Sequence, residues 1–189
     1  MVNFKNNQIE FNYAIHAPVW NESSQNYINM PMMTSNEKLI HHFYTCFQNL
    51  DYHGMQQCYA DRATFTDEIF QKLIADPRCA MWQTWILKNP DVTIKLHAVS
   101  DNLNGGEAKW KATYYFSATG KKVKNEVQSV FIIQDGKIIQ QKDHFDFNAW
   151  ARQAFGLRGL LYGWTSSFKN QVRRKAMRNL SVFMNSKTN

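Results

Sequence analysis

The segment around residue 140 places a carboxylate at the end of a predicted β-strand. Asp135-Gly136 lies between two runs of β-branched residues, and Asp-Gly in that position is a strong hairpin signal. In the strand that follows, alternation puts Gln141 and Asp143 on one face and His144 on the other. A carboxylate at a strand end, just before an apolar helix, is a common polar group of a pocket. Asp143 is therefore the first candidate for acid/base chemistry.

The composition excludes several classes of protein. The chain has 189 residues, of which 44% are hydrophobic and 14% aromatic, enough for one domain with a buried core. Cys46, Cys58 and Cys79 are an odd set without close spacing, which argues against a disulfide framework and predicts a cytoplasmic location. No apolar run approaches the roughly 18 residues that span a bilayer, and no signal-peptide pattern is present. The scattered histidines predict no metal site, and we expect no cofactor.

The net charge of +7 belongs to the C-terminal segment alone. Residues 155–189 contain seven basic and no acidic residues, which leaves 15 basic and 15 acidic residues in the remainder. The body is formally neutral, so a nucleic-acid partner is not expected.

The spacing of apolar residues predicts helices first and long strands afterwards. Helical spacing marks residues 35–51, 52–59 and 77–87, and a short strand over residues 63–67 precedes the third helix. Ser35 or Asn36 is the expected cap of the first helix. Period-two alternation marks four strands joined by glycine turns, over residues 92–103, 107–117, 123–133 and 137–147. Tight turns between long strands predict an antiparallel meander and the α+β class.

Residues 1–33 show no periodicity and are interrupted by Pro18 and Pro31. We expect a poorly ordered arm, or an upstream extension before a start at Met32 or Met33. The alternative is an arm that crosses to a partner subunit.

Two passages carry a family resemblance. They are Cys58-Tyr59-Ala60-Asp61-Arg62-Ala63-Thr64-Phe65-Thr66-Asp67, and Asp135-Gly136-Lys137-Ile138 through Lys142-Asp143-His144-Phe145-Asp146. The first is similar to a "Tyr-Ala-Asp-Asp-Ala-Thr-Val-x-Asp" passage, and the second to an "Asp-Gly-Lys-Ile … Arg-Asp-Tyr-Phe-Asp" ending, of the nuclear transport factor 2-like superfamily and its SnoaL-like members. The resemblance covers about residues 34–150. It implies a cone-shaped fold, with three N-terminal helices packed in a curved antiparallel sheet, and a homodimer.

The resemblance also implies chemistry, which this chain matches only in part. The general base of the ketosteroid isomerases corresponds to Asp67, although that carboxylate could instead close a turn. Their oxyanion tyrosine corresponds to Phe43, which has no hydroxyl but adjoins Tyr44, and their partner acid falls near Ser129. The last acid of the related epoxide hydrolases corresponds to Asp143. Their Arg and Asp one strand earlier correspond to Trp110 and Ala112.

Two functional hypotheses therefore remain. The leading one is a SnoaL-like protein that binds, and isomerises, cyclises or hydrolyses, a small and largely apolar molecule, with Asp143 and Asp67 as catalytic groups. The alternative is a non-catalytic ligand-binding or dimeric interaction module. The expected ligand contacts are Phe43, Tyr44, Trp82, Tyr115, Ser129, Phe131 and Gln141.

Residues 151–189 form a predicted helical extension that differs from the family. Gly156 ends a helix, a glycine-spaced apolar linker follows, and a last helix runs from Ser166 or Ser167 to about Met184. We expect its apolar stripe to cover the protein's own sheet or a partner subunit, because an exposed stripe would favour aggregation. Contact of this basic helix with an anionic membrane surface is the less favoured alternative. The stripe consists of Phe168, Val172, Ala176, Leu180 and Met184.

Overall fold

The computed structural model describes residues 33–188, and the predicted arm over residues 1–33 lies outside them except for its last residue. The helices are α1 (Ser35–Gln48), α2 (Tyr52–Gln57), α3 (Asp76–Lys88), α4 (Phe147–Phe155), α5 (Leu157–Tyr162) and α6 (Ser166–Thr188). The strands are β1 (Tyr59–Thr66), β2 (Leu73–Ile74), β3 (Thr93–Asn102), β4 (Gly105–Phe116), β5 (Lys121–Gln134) and β6 (Lys137–His144). The predicted α+β class and the order of the elements are confirmed.

Helix α1 begins with a capping box one residue earlier than predicted. The Thr34 hydroxyl accepts a hydrogen bond from the Glu37 backbone N–H at 3.1 Å, and the Glu37 carboxylate accepts one from the Thr34 N–H at 2.9 Å. Thr34 is the cap, rather than Ser35 or Asn36, because only a hydroxyl three residues before Glu37 completes this reciprocal pair. The helix then buries one face, which consists of Ile40, Phe43, Tyr44, Cys46 and Phe47.

Strand β1 begins earlier than the sequence indicated. The helix predicted over residues 52–59 ends at Gln57, and the strand begins at Tyr59. Ala60-Asp61-Arg62, which was predicted to be a break, therefore lies within β1. Pairing of Tyr59 with Ile138 of β6 extends the strand, so tertiary pairing overrides the local helical spacing.

The six strands form one sheet in the order β2-β1-β6-β5-β4-β3. Strands β3 to β6 form the predicted antiparallel meander, whereas β1 and β6 are parallel neighbours, so the sheet is mixed. The sequence did not predict this parallel pair. Its register joins Thr66, the last residue of β1, to Lys142 of β6, and the next residue along the chain is in both cases a carboxylate, Asp67 and Asp143. Because parallel strands end at the same edge, the two carboxylates lie at one end of the sheet.

The turn residues have the backbone conformations that their types predict. Asp135 and Gly136 have φ of 52° and 69°, as a two-residue hairpin turn with positive φ at both positions requires. Gly105, at the start of β4, approaches the neighbouring strand closely. A Cβ there would lie 2.1 Å from the carbonyl oxygen of Phe131, so only glycine fits the pairing.

An aromatic core joins α1 to the inner face of the sheet. Trp110, Ala112 and Tyr114 of β4 share the buried face, as alternation predicted, and Lys109 is exposed on the other face. The Phe47 ring of α1 contacts the Trp110 ring edge-on, with centroids 5.5 Å apart. Burial of such rings contributes most of the stabilisation of a core of this type.

The C-terminal helices pack on the same body. Helix α4 ends at Gly156, as predicted, and the predicted linker forms the short helix α5. A Cβ on Gly159 would lie 1.9 Å from the carbonyl oxygen of Ala151, so this glycine allows α4 and α5 to approach closely. The apolar stripe of α6 packs against α3 and the core of its own chain, and Leu180 is buried.

Candidate active site

A cavity of about 500 Å³ lies between the sheet, α3 and α6. Its wall is mostly aromatic and apolar, with contributions from β4, β5, α3 and α6. A cavity of this size and lining is typical of a site for a small organic ligand. The aromatic side chains of the wall include Phe47, Phe65, Trp82, Trp85, Trp110 and Trp150.

Asp143 provides the only carboxylate of this wall that is more than nine-tenths buried, with 4% of its surface exposed. Its Oδ1 atom accepts hydrogen bonds from the Ser129 hydroxyl at 2.6 Å and from the Gln141 amide at 2.8 Å. Among residues 33–188, no hydrogen bond reaches its second oxygen, Oδ2, and the residue lines the cavity. One oxygen is therefore fixed, and the other is left for a ligand.

The sheet register and two aromatic donors fix the Ser129 hydroxyl. Ser129 of β5 lies directly opposite Asp143 of β6. Its oxygen accepts hydrogen bonds from the Tyr44 hydroxyl at 2.9 Å and from the Trp110 indole N–H at 2.8 Å. Because a hydroxyl carries one proton, the two incoming bonds leave that proton to be donated to Asp143.

A second chain of hydrogen bonds orients Gln141. The Trp82 indole N–H donates to the Tyr59 hydroxyl at 3.0 Å, and that hydroxyl donates to the Gln141 side-chain carbonyl. The amide nitrogen of Gln141 is thereby directed towards Asp143. Burial, followed by the charge of Asp143, raises the pKa of Tyr44 and of Tyr59 well above the ordinary value, so both phenols remain donors.

Burial raises the pKa of Asp143 to about 7. The hydrogen bonds from Ser129 and Gln141 act in the opposite direction, because they stabilise the charged form, and the charge of Asp67 adds a smaller increase. A carboxyl group with this pKa exchanges its proton near neutral pH, which suits a general acid or base.

Asp67 lines the same cavity but also closes its own turn. It is half-buried, and its Oδ1 atom accepts hydrogen bonds from the backbone N–H groups of Ile69, at 2.7 Å, and Phe70. This is the turn-closing role that the sequence left open. Burial raises the pKa of Asp67 to about 6, although the bonds from Phe70 and Ile69 lower it and Glu68 and Arg173 have smaller opposing effects.

The predicted ligand contacts fall into three groups. Trp82 lines the cavity. Tyr44, Ser129 and Gln141 are fully buried behind Asp143 and form its hydrogen-bond network rather than the cavity wall. The remaining three do not line the cavity: Phe43 and Phe131 are packed in the core, and Tyr115 is 59% exposed on the outer face of β4.

Two polar groups of the wall were not predicted. Thr84 of α3 is buried against the cavity, and its hydroxyl has no hydrogen-bond partner in the described chain. Tyr114 of β4 accepts a hydrogen bond from the Trp150 indole at 2.9 Å, and burial raises its pKa to about 12. The inward alternation of Tyr114 with Trp110 was visible in the sequence. Nothing in the sequence marked Thr84, because α3 faces both the core and the cavity.

The cavity wall lacks the charged pair of an epoxide hydrolase. Trp110 and Ala112, which stand where that resemblance expects Arg and Asp, both line the cavity and bring no charge to it. Phe43, in the place of the isomerase tyrosine, is 0% exposed among aromatic neighbours. Asp143 and Asp67 are the two carboxylates that line the cavity in the described chain.

Helix α6 closes one side of the cavity and is held by Glu68. The Glu68 carboxylate pairs with Lys169 of α6 and lies 3.5 Å from His144 Nδ1, and its backbone carbonyl accepts from Arg173 at 3.1 Å. Burial alone would raise the pKa of Glu68, but the hydrogen bond and charge of Lys169, then those of His144, lower it overall. As predicted, His144 points away from Asp143.

The domain is α+β with this strand order, and its helices enclose an apolar cavity with a buried carboxylate. These features define the nuclear transport factor 2-like class of folds. A family model described as a SnoaL-like domain matches residues 40–141, and the chain belongs to this family. Helices α4 to α6 lie beyond the matched residues. Comparison with curated protein sequences gives no match.

Solved structures share the fold at low sequence identity. A putative SnoaL-like polyketide cyclase from Jannaschia sp. CCS1 is 12% identical, with a TM-score of 0.59 over 67% of this chain and 95% of that one. An LEH-like epoxide hydrolase from M. tuberculosis is 19% identical, with a TM-score of 0.56 over 69% and 96%. A nuclear transport factor 2-like protein of unknown function from Burkholderia pseudomallei is 12% identical, with a TM-score of 0.57 over 66% and 100%.

Two further findings concern the described chain. None of its helices is both long and apolar enough to cross a membrane. Within residues 33–188, no group of three or more His, Cys, Asp or Glu side chains is placed to hold a metal ion.

Proposed function

We propose that this protein binds a small, largely apolar molecule in the cavity and moves a proton on it with Asp143 as the acid/base group. The observation that carries the proposal is the asymmetry of the Asp143 carboxylate. Its Oδ1 atom is held by Ser129 and Gln141, whereas Oδ2 accepts no hydrogen bond from residues 33–188, and the residue lines an apolar cavity. The pKa of about 7 gives both protonation states at neutral pH.

The proposed step removes a proton from a carbon next to a carbonyl group. The proton moves to Oδ2 of Asp143, and the electron pair of the C–H bond becomes part of an enolate. Return of the proton to another carbon gives an isomer. Attack of the enolate on a second carbonyl of the same molecule forms a C–C bond and closes a ring, and the resulting alkoxide takes the proton back from Asp143. Both outcomes balance without an oxidant or a reductant. Hydrolysis would additionally require a water molecule activated by the same carboxylate.

Asp67 supports this proposal as a second ionisable group of the same cavity. Its Oδ1 atom is occupied by two backbone N–H groups, which give Asp67 a role in closing its own turn that Asp143 does not have. Like charges in one cavity also disfavour ionisation of both groups. We therefore assign proton transfer to Asp143 and an electrostatic role to Asp67.

The test uses nitrobenzisoxazole, a flat apolar probe that opens when a base removes its ring C–H proton. The electron pair forms a nitrile, the N–O bond breaks, and the coloured phenolate reports the rate. General base catalysis is typically worth about 100-fold or more, so we expect Asp143→Asn to lower the protein-dependent rate by at least that factor. The rate of the unsubstituted protein should rise with pH through an inflection at about 7.

Asp61→Asn is the matched control, because Asp61 is an exposed carboxylate of β1 that does not line this cavity. It should leave the rate and the inflection unchanged. If Asp143→Asn matches the unsubstituted protein, proton transfer by Asp143 is refuted. Binding of the probe without turnover would instead support the non-catalytic ligand-binding alternative.

A further inference from the structure

The exposed part of the cavity lining differs in chemistry from the interior. We define the mouth as the exposed residues of the lining, which are Lys88, Ser117, Ala118, Arg158, Gln171, Lys175 and Asn179. Three of these seven are cationic and none is acidic. The interior beyond them is apolar and aromatic, apart from a few polar groups.

The three cations of the mouth come from three separate elements. Lys88 is the last residue of α3, Arg158 belongs to α5, and Lys175 belongs to α6. In the described chain, the ion pairs involve other cations: Lys111 with Glu126, and His144 and Lys169 with Glu68. No carboxylate of residues 33–188 therefore lies within 4.0 Å of the mouth cations, which remain available to a ligand.

The acidic groups of the same cavity lie deeper. Asp143 is buried and Asp67 is half-buried, whereas the mouth cations are exposed. A ligand that carries a negative charge is attracted at the mouth and repelled in the interior whenever these carboxylates are ionised. The charge distribution therefore selects one orientation, with the anionic end outward and the apolar end towards Asp143.

The interior also offers hydrogen bonds to a ligand. The Thr84 hydroxyl has no partner in the described chain, and the Tyr114 hydroxyl proton has no acceptor there. An unpaired hydroxyl in an apolar wall is costly unless a ligand completes its hydrogen bond. A carbonyl or hydroxyl oxygen on the buried part of the ligand would satisfy these groups.

From this arrangement we infer that the ligand is an amphipathic anion: a carboxylate or phosphate group at the mouth, attached to an apolar body with rings that carries an oxygen function inside. The inference rests on the proposed function only because both place the ligand in the same cavity. It assigns Lys88, Arg158 and Lys175 as the residues that determine specificity for the anionic end. It requires no catalysis for its test.

The test compares pyrenebutyrate with pyrenebutanol, which share one apolar body and differ in charge. Energy transfer to pyrene from the tryptophans of the cavity wall reports binding of either probe. Exposed ion pairs contribute up to about 1 kcal/mol each, so we expect pyrenebutyrate to bind about tenfold more tightly at low salt. The preference should shrink as ionic strength rises, because the mouth is open to solvent.

A triple variant, Lys88→Gln, Arg158→Gln and Lys175→Gln, should remove this preference and leave the affinity for pyrenebutanol unchanged. The control triple variant replaces three exposed lysines outside the cavity by glutamine and lowers the net charge equally. It should keep the preference, and it consists of Lys95→Gln, Lys109→Gln and Lys122→Gln.

The outcomes separate this inference from the proposed function. Equal affinity for the two probes, or equal loss in both triple variants, overturns the amphipathic anion while the acid/base role of Asp143 stands. Failure of both probes to bind overturns the ligand cavity itself, and with it the inference. Preferential binding that persists in Asp143→Asn supports the inference even if that variant shows no change in turnover.

Discussion

At the scale of single residues, the site depends on the difference between the two carboxylate oxygens of Asp143. Oδ1 accepts hydrogen bonds from Ser129 and Gln141, whereas Oδ2 accepts none from residues 33–188. An isolated charge in an apolar wall is costly, and here the cost is reduced in two ways. Ser129 and Gln141 stabilise the charged form of Asp143, and the raised pKa allows the group to become neutral. A carboxyl group that exists in both protonation states near neutral pH is suited to proton transfer.

Ser129→Ala tests the effect of the hydrogen bond from Ser129 on the pKa of Asp143, at a residue that does not line the cavity. Loss of its hydrogen bond destabilises the charged form, so the pKa of Asp143 should rise above about 7. The Tyr44 and Trp110 donors also lose their acceptor, which should lower the free energy of unfolding by about 1–3 kcal/mol. Carboxyl-carbon NMR titration measures the pKa, and urea denaturation measures the stability.

Ser129→Thr and Ser100→Ala are the controls for this substitution. The threonine retains the hydroxyl and should restore the pKa, whereas Ser100 is exposed on β3 and its loss should change neither quantity. An Asp143 pKa that falls, or stays constant, in Ser129→Ala would contradict the assigned hydrogen-bond network.

At the scale of elements, α6 converts an open groove into a cavity. It lies beyond residues 40–141, so the family match does not include this wall. Its apolar stripe packs on α3, and the Lys169–Glu68 pair and the Arg173–Glu68 bond fix it next to the turn that contains Asp67. Of the basic residues of the helix, Lys175 lies at the mouth, whereas Lys169 and Arg173 contact Glu68.

Leu180→Ala tests whether α6 is an integral wall. Leu180 is 4% exposed, and truncation of a buried leucine typically costs about 2–5 kcal/mol. We expect the lower half of that range, because the residue packs beside a cavity that already leaves space. Urea denaturation measures the loss, and exchange of the α6 amides with solvent should increase in parallel.

Val182→Ala on the same helix is the matched control, because Val182 is 63% exposed. Its free energy of unfolding should change by less than about 0.5 kcal/mol. Equal effects of the two substitutions would show that α6 is not packed on the domain.

At the scale of the whole molecule, local patterns predicted the longer elements, but not the short β2 and α5 or the long-range pairing that assembles the site. Alternation in β6 correctly placed Asp143 inward, because side-chain direction in a strand is set by neighbours in the sequence. The parallel pairing of β1 with β6, which brings Asp67 to the same edge, joins distant segments and leaves no local signal. Tyr115 is a different case, because the alternation in β4 already placed its neighbour Tyr114 on the inner face.

Two of the expected ligand contacts lie behind the cavity wall and not in it. Ser129 and Gln141 were predicted as ligand contacts and instead support the acid, which only the side-chain geometry reveals. The homodimer, the cytoplasmic location and the contact of the C-terminal segment with membranes stay predictions, which sedimentation, imaging and liposome flotation would respectively test.

The two buried carboxylates make a distinct prediction for the stability of the whole protein. Their pKa values in the folded state, about 7 for Asp143 and about 6 for Asp67, exceed the ordinary value of 3.8 expected in the unfolded chain. Between about pH 4 and pH 7 the folded state therefore binds more protons than the unfolded state, so stability should fall as pH rises. The effect of Glu68 on stability has the opposite sign, because its pKa is lowered on folding. This effect is confined to pH values below about the ordinary pKa of 4.5.

Urea denaturation at about pH 5 and about pH 8 measures this dependence in the unsubstituted protein, in Asp143→Asn and in the surface control Asp61→Asn. A pKa raised by about three pH units corresponds to an upper limit of about 4 kcal/mol, so we expect Asp143→Asn to abolish a loss on the order of 2–3 kcal/mol between the two pH values. The variant should thus be more stable than the unsubstituted protein at the higher pH, because an amide needs no charge in the cavity. Asp61→Asn should retain the full loss of stability between the two pH values. If Asp143→Asn retains it too, the carboxyl group of Asp143 titrates near its ordinary value and is not suited to general base catalysis at neutral pH.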